Sequence, residues 1–280
     1  MKVGELRALL EAHGLRPNQR FGQNFLVDPA LLAAIPADAG VAAGERVLEV
    51  GPGAGALTAE LLAAGARVLA VELDHGLARL LQERFRAPLA AGELELVEGD
   101  ALDREERLHP RVEAWWGEGD APRLVANLPY AISGPFLGRL PGRALAGATL
   151  LLQREVAEKA CGAAADDPDG WSPLAVRLAL AFEARLGRRL PPQVFWPRPQ
   201  VDSAFLHLAP RAGAPDAAAD ARLAAVLREA FGQRRKRLLG RLGKSHPDWA
   251  AALEAAGVAA DARPGAIPPE TWHAALTALS

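Results

Sequence analysis

Residues 45–65 read ERVLEVGPGAGALTAELLAAG. Glu45–Val50 form a short, mostly apolar run of the kind that makes a buried strand. Gly51, Gly53 and Gly55 then crowd one turn, after which Leu57, Leu61 and Leu62 recur at helical spacing until Gly65 stops the pattern. Glycines between a strand and a helix let the backbone turn tightly and approach a ligand. The free N–H groups at the helix start favour negative or polar ligand atoms.

Outward from this stretch the same rhythm repeats. ARVLAVEL (66–73) reads as a second strand, HGLARLLQERF (75–85) as a helix, and LELVEGD (94–100), RLVAN (123–127) and GATLLLQ (147–153) as further strands. Strands separated by helix-length segments predict parallel βαβ units and an α/β sheet covered on both faces. LALAFEARLGRRL (178–190) and SAFLHLAP (203–210) read as two strands bridged by the Pro-rich PPQVFWPRPQVD, closing the sheet's edge. Residues 209–220 read as a linker. From about 221 onward the pattern is helical, with Leu223, Val226, Leu227 and Phe231 as an apolar stripe. The expected domains are 1–210, an α/β catalytic domain with an N-terminal helical extension, and 211–280, a small all-helical domain that meets the substrate.

Composition narrows the class. Of 280 residues half are hydrophobic and 24% charged, as in ordinary globular proteins. No apolar run approaches the roughly 18 residues of a membrane span, and the N-terminal segment carries Glu5 and Glu11 where a signal peptide needs an uninterrupted apolar stretch. Cys161 is the only cysteine, and the six histidines are scattered, so neither a disulfide nor a metal site is expected. These features fit the cytoplasm. A net charge of −2 argues against indiscriminate coating of nucleic acid but allows a local basic patch.

Gly51-x-Gly53-x-x-Ala56 satisfies a dinucleotide fingerprint. Glu72 closes the second strand 21 residues after Gly51, where an acid would bind both hydroxyls of a ribose. Asp100 follows the third strand, placed to accept from an adenine amino group. Taken together they indicate a nucleoside-bearing cofactor, NAD or S-adenosylmethionine.

The fourth strand ends in Asn127-Leu128-Pro129-Tyr130, the last being the chain's single tyrosine. The Asn127 side-chain oxygen and the Leu128 carbonyl can accept both hydrogens of an exocyclic amino group. Pro129 stiffens the turn and adds no competing N–H, and Tyr130 can lie flat against a base. An adenine N6 lone pair is delocalised into its ring. Two acceptors on its hydrogens favour a pyramidal nitrogen aimed at a methyl donor, so catalysis by positioning and electrostatics is expected. This favours S-adenosylmethionine.

QRFGQNFL, VLEVGPGAGALT, VELD, GDAL, NLPYAIS, LLQREVAEK, FWPRPQVDSAFLHL and FGQRRKRL stand in this order over residues 19–238. Together they resemble the ribosomal RNA adenine N6-dimethyltransferase family, in particular its bacterial small-subunit (16S) branch. The resemblance implies a Rossmann-like class I S-adenosylmethionine-dependent methyltransferase sheet with a small C-terminal all-helical domain. It implies dimethylation of two adjacent adenosines near the 3′ end of 16S rRNA in the immature, pre-30S subunit; a monomer that uses no metal is expected, with subunit assembly as a second role. It implies cofactor contacts at Asn24, Leu26, Gly51, Glu72, Asp100 and Asn127, and stacking of Phe195 on the target base opposite Tyr130. Position 131 is Ala where the family commonly has Asn, and DGWSPL (169–174) departs from the family's usual substrate loop.

The basic run Arg234, Arg235, Lys236 and Arg237 reads as part of the helical tail, with Arg234 and Arg237 on one face. With Arg16 and Arg20 it is expected to hold RNA phosphates. The rival readings are an NAD oxidoreductase, a ribosome-assembly factor without turnover, and an enzyme methylating large-subunit rRNA or DNA by the same chemistry.

Overall fold

The computed structural model describes residues 1–18, 22–162 and 170–279. Nine strands occur among them: β1 (Phe25–Leu26), β2 (Arg46–Val50), β3 (Arg67–Glu72), β4 (Leu94–Glu98), β5 (Arg123–Asn127), β6 (Gly147–Gln153), β7 (Phe182–Leu190), β8 (Phe195–Trp196) and β9 (Ser203–Pro210). Seven make one sheet in the order β4-β3-β2-β5-β6-β9-β7, and β1 and β8 make a separate two-stranded ribbon. β2 pairs in parallel with both β3 and β5, β3 with β4, and β5 with β6, while β9 runs antiparallel to β6. The chain therefore grows outward from β2 in one direction through β3 and β4, then returns to lay β5 on β2's other side. That reversal opens a crevice at the carboxyl ends of β2 and β5, the general ligand position in open α/β sheets.

Chain packing separates two compact units. The first comprises Met1–Phe136, Ala144–Ala157 and Leu186–Leu208; the second comprises Leu137–Arg143, Glu158–Arg185 and Ala209–Ser280.

In the first unit, Val47, Leu48, Val68, Leu69, Leu124 and Val125 are all almost fully buried. Consecutive buried residues mean that the central strands are covered on both faces, which is why they read as unbroken apolar runs. Helix Pro29–Asp38 starts where Asp28 accepts the Leu31 N–H at 3.0 Å, and Pro29 tolerates the first helical position because its missing N–H has no partner there. Its Leu31, Leu32 and Ile35 pack with Leu57 and Leu61 of helix Ala56–Ala63 in one core cluster. The N-terminal helix Val3–Ala12 buries Leu6 and Leu10 against Ala54, Leu77 and Leu80.

The second unit is a helical cluster. Helices Pro173–Ala181, Ala217–Gly232, Leu239–Ser245, Pro247–Ala255 and Pro269–Ala278 surround Val176, Leu223, Leu227, Leu242, Leu253 and Trp272. Arg177 and Asp220 form a largely buried ion pair at 2.6 Å, and Arg177 also donates to the Gly138 carbonyl.

Three expectations need correction. The first part of LALAFEARLGRRL is helical: Ser172 caps a helix that runs to Ala181, and β7 begins only at Phe182. The expected linker shrinks at both ends, since β9 continues to Pro210 and Asp216 caps a helix starting at Ala217. Third, the basic run is not helical. Helix Ala217–Gly232 ends before Arg234, and the next begins at Leu239, so the one-face spacing of Arg234 and Arg237 does not apply.

Candidate active site

A cavity of about 260 Å³ lies at the sheet's reversal point. Its wall includes Asn24, Leu26, Gly51, Gly53, Glu72, Asp100 and the whole of Asn127–Tyr130. The sequence segments singled out as a cofactor end and a base-binding end thus line one space.

Gly51 joins the two. It has φ +72°, and a Cβ there would stand 2.8 Å from Pro129 Cγ and 2.9 Å from Cδ. Only glycine allows the turn after β2 to rest directly on the proline of the second motif. Gly53, at φ +59°, would meet the Phe25 ring at 2.9 Å, and its N–H donates to Glu72 Oε2 at 2.9 Å. Arg84 donates to the Ala54 carbonyl, holding the same loop from helix His75–Arg84.

Glu72 is 5% exposed. Its other oxygen, Oε1, accepts the Asp74 N–H at 2.9 Å, so two backbone donors fix the carboxylate while each oxygen keeps a further lone pair. Burial pushes its pKa up to about 7, against the lowering effect of those hydrogen bonds. Asp100 is exposed and uses Oδ1 to accept from Leu102 N–H at 3.1 Å.

The Asn127 amide nitrogen donates to the Asn24 backbone carbonyl at 3.1 Å. The bond decides which way the amide faces: the N–H end is occupied, and among the described residues no donor meets Oδ1. The Leu128 N–H donates to Leu151 O at 3.1 Å, tying this turn to β6. Pro129 O accepts from both Ile132 N–H and Ser133 Oγ at 3.1 Å, which fixes the turn from its other side. Tyr130 is partly buried, and its hydroxyl is 2.7 Å from Ser203 Oγ.

Phe195 departs from expectation. It is 3% exposed, pairs with Leu26 across the β1–β8 ribbon, packs with Phe205 and Leu190, and does not line the cavity. In this structure its ring packs in the core. Arg16 and Arg234–Arg237 are all exposed, and Arg20 lies outside the described residues.

Sequence reading passed over Glu49. It is 1% exposed, lines the cavity and accepts from Thr58 Oγ1 at 2.7 Å; burial pushes its pKa up to about 8. The available signal was a charged residue inside an otherwise apolar strand, which is rare without a reason. Leu73 was also missed. It is 42% exposed yet lines the cavity beside Glu72.

The cavity's charge discriminates between the two cofactor classes. Its wall holds Glu49, Glu72 and Asp100 and, among the described residues, no Lys, Arg or His. A pyrophosphate would add negative charge to this set. A ribose with a neighbouring cationic centre suits it.

The chain matches the family described as ribosomal RNA adenine dimethylase over residues 14–279. It is 42% identical to ribosomal RNA small subunit methyltransferase A of Magnetococcus marinus, over 91% of this chain and 89% of that protein. The protein of the same name from Opitutus terrae is 38% identical, over 96% and 95%. Among solved structures, the 23S rRNA methyltransferase ErmE superposes with a TM-score of 0.64 at 28% identity, covering 91% of this chain and 98% of that one. A dimethyladenosine transferase from Plasmodium falciparum has the same fold, with a TM-score of 0.68 at 23% identity over 91% and 97%.

Proposed function

This chain belongs to the ribosomal RNA adenine dimethylase family, and we propose that its target is a pair of adjacent adenosines near the 3′ end of 16S rRNA in the immature small subunit. It is an S-adenosylmethionine-dependent rRNA adenine dimethyltransferase. The observation that carries the proposed site is the seating of Gly51 on Pro129, which gives the cofactor loop and the base-binding turn a shared wall. The small subunit is favoured over the large one by the relatives' names at 42% and 38% identity, against 28% for the 23S enzyme. We further propose a cytoplasmic monomer that uses no metal in the reaction, with residues 1–210 carrying the chemistry and 211–280 meeting RNA. No helix among the described residues is long and apolar enough to cross a membrane.

When bound, S-adenosylmethionine supplies an activated methyl group; what remains for the chain is to bind and orient. Glu72 accepts from the ribose hydroxyls with the lone pairs its backbone donors leave free. Asp100 accepts from the adenine amino group, and Leu73 supports the ring. Asn127 Oδ1 and the Leu128 carbonyl accept from the target amino group and turn its lone pair outward, while Tyr130 supports the target base. No strong base is required, because the attacking nitrogen is neutral and sheds its proton after transfer.

Radiolabelled methyl transfer to unmethylated 30S particles, 50S particles and duplex DNA, side by side, tests the reading. Label confined to 30S rRNA supports it. Label in 50S particles or DNA alone overturns the substrate.

Cofactor affinity is expected to depend on pH. Glu49 and Glu72 both have raised pKa values in the folded protein, and Asp74 and Asp100 add negative charge nearby. Without cofactor, the stability linked to these two groups is fully present below the ordinary carboxyl range, near 4.5, and is lost as pH rises through about 7 and 8. A cationic ligand needs the ionised forms, so binding releases protons. Calorimetry should show affinity tightening between pH 6 and 8, by at most about tenfold per pH unit for each linked proton. Flat affinity across that range would remove the linkage.

The RNA reading of the second unit rests on a shallow concavity of about 740 Å³ lined by Arg235, Lys236, Arg237, Arg241, Lys244 and Arg263, with Asp261 the one acid. Arg241 donates to the Glu229 and Ala230 carbonyls at 2.9 and 2.6 Å, capping the preceding helix and fixing the turn that bears the run. Replacing Arg235 and Arg237 together by Ala should weaken small-subunit binding and lower the slope of log affinity against log salt by just under about one unit per lost contact. Cofactor affinity should not change. An unaltered salt slope would leave the run as a solvated turn.

A further inference from the structure

The Pro-rich segment was expected to serve the site through Phe195, whose ring is buried, and the strand after it to close the sheet's edge. That strand reaches the site through its first residue. We propose that Ser203 is a positioning residue for methyl transfer, holding the Tyr130 ring in the plane that receives the target base.

Ser203 is the first residue of β9 and pairs with Gln153 at the end of β6, the carboxyl edge where the cavity opens. It is 0% exposed and does not itself line the cavity. Its hydroxyl lies 2.7 Å from the Tyr130 hydroxyl, and Tyr130 does line it. Ser203 is held in place in turn: the neighbouring Asp202 accepts the Arg154 N–H at 2.9 Å through its backbone carbonyl. A tyrosine has two side-chain torsions. The backbone of the three-residue helical turn Tyr130–Ile132 anchors one end of the side chain and Ser203 the other, so both torsions are fixed before RNA arrives. Burial raises the phenol's pKa and keeps it a neutral hydroxyl, able to share a proton with Ser203.

The inference rests on the reading that Tyr130 meets the base, and a double-mutant cycle separates the two. Methyl transfer to unmethylated small-subunit particles is measured for Ser203→Ala, Tyr130→Phe, their combination and Tyr130→Ala, with cofactor affinity by calorimetry. Ser203→Ala and Tyr130→Phe should each lower kcat about 5- to 30-fold, a hydrogen bond's worth of orientation, and the double variant should fall no further than the worse single. Cofactor affinity should stay at the wild-type value in Ser203→Ala, whose side chain does not line the cavity. Wild-type kcat in Ser203→Ala, or losses that multiply in the double variant, would overturn the proposal while a dead Tyr130→Ala upholds the base contact. An active Tyr130→Ala would remove both. Should Ser203→Ala fail to fold, Tyr130→Phe reads the same bond from its other end, and normal kcat there overturns the proposal equally.

Discussion

Asn127→Ala should abolish methyl transfer, by a factor of about a hundred or more, while leaving affinity for the ribosomal particle nearly unchanged. The side chain's nitrogen is committed to the Asn24 carbonyl at 3.1 Å, which leaves its oxygen as the acceptor of the proposed substrate contact. Alanine removes an oriented acceptor that matters most as the target nitrogen becomes pyramidal, and interactions that strengthen in the transition state act on kcat. If particle affinity comes from phosphate contacts elsewhere, as proposed, it should not notice one lost amide. Asn127→Asp makes a useful companion. It keeps an acceptor but cannot donate to Asn24 O when ionised, so it should also be impaired. Single-turnover kinetics beside particle binding would check both, and turnover within a few-fold of wild type in the alanine variant would show that Asn127 does not orient the amino group.

Glu72→Ala should weaken S-adenosylmethionine binding by more than about tenfold, since hydrogen bonds to a charged acceptor contribute roughly 1.5–3 kcal/mol each and two ribose hydroxyls would lose theirs. The loss extends past the ligand. Gly53 and Asp74 both donate to this carboxylate at 2.9 Å, so the glycine loop and the start of the following helix lose a common anchor. The binding defect should therefore appear together with faster amide exchange at Gly53 and Asp74. Calorimetry and hydrogen exchange on the folded variant provide the check. Unchanged affinity would remove Glu72 from the cofactor site.

Much of this was legible in the chain because parallel strands buried on both faces announce themselves as apolar runs with glycine-rich ends. β2, β3, β5 and β6 lie within a residue of their expected limits for that reason. The readings failed where tertiary contacts overrule local pattern. LALAFEARLGRRL mixes helical and extended signals, and the Ser172 cap decides where one yields to the other. The Arg-rich run has good helix propensity, yet Arg241 satisfies the preceding helix's carbonyls from a distance and ends it at Gly232. An aromatic in a proline-rich loop looks available for stacking; pairing Phe195 with Leu26, far away in the chain, puts it in the core. Glu49 was hidden by the opposite logic, a charge inside a strand that otherwise reads as apolar.

The close packing of Gly51 against Pro129 bears on how such an enzyme can change over generations. Two loops touching with no room for a single methyl group cannot be inherited as independent modules. Transplanting a different base-recognition turn onto this scaffold would succeed only if the newcomer presents an equally flat residue at position 129, or if the glycine loop were exchanged with it. On the proposed roles, recognition of the methyl acceptor and the grip on the methyl donor form one evolutionary unit: because Gly51 is held at φ +72°, libraries at position 129 should yield active variants only where glycine is kept at 51.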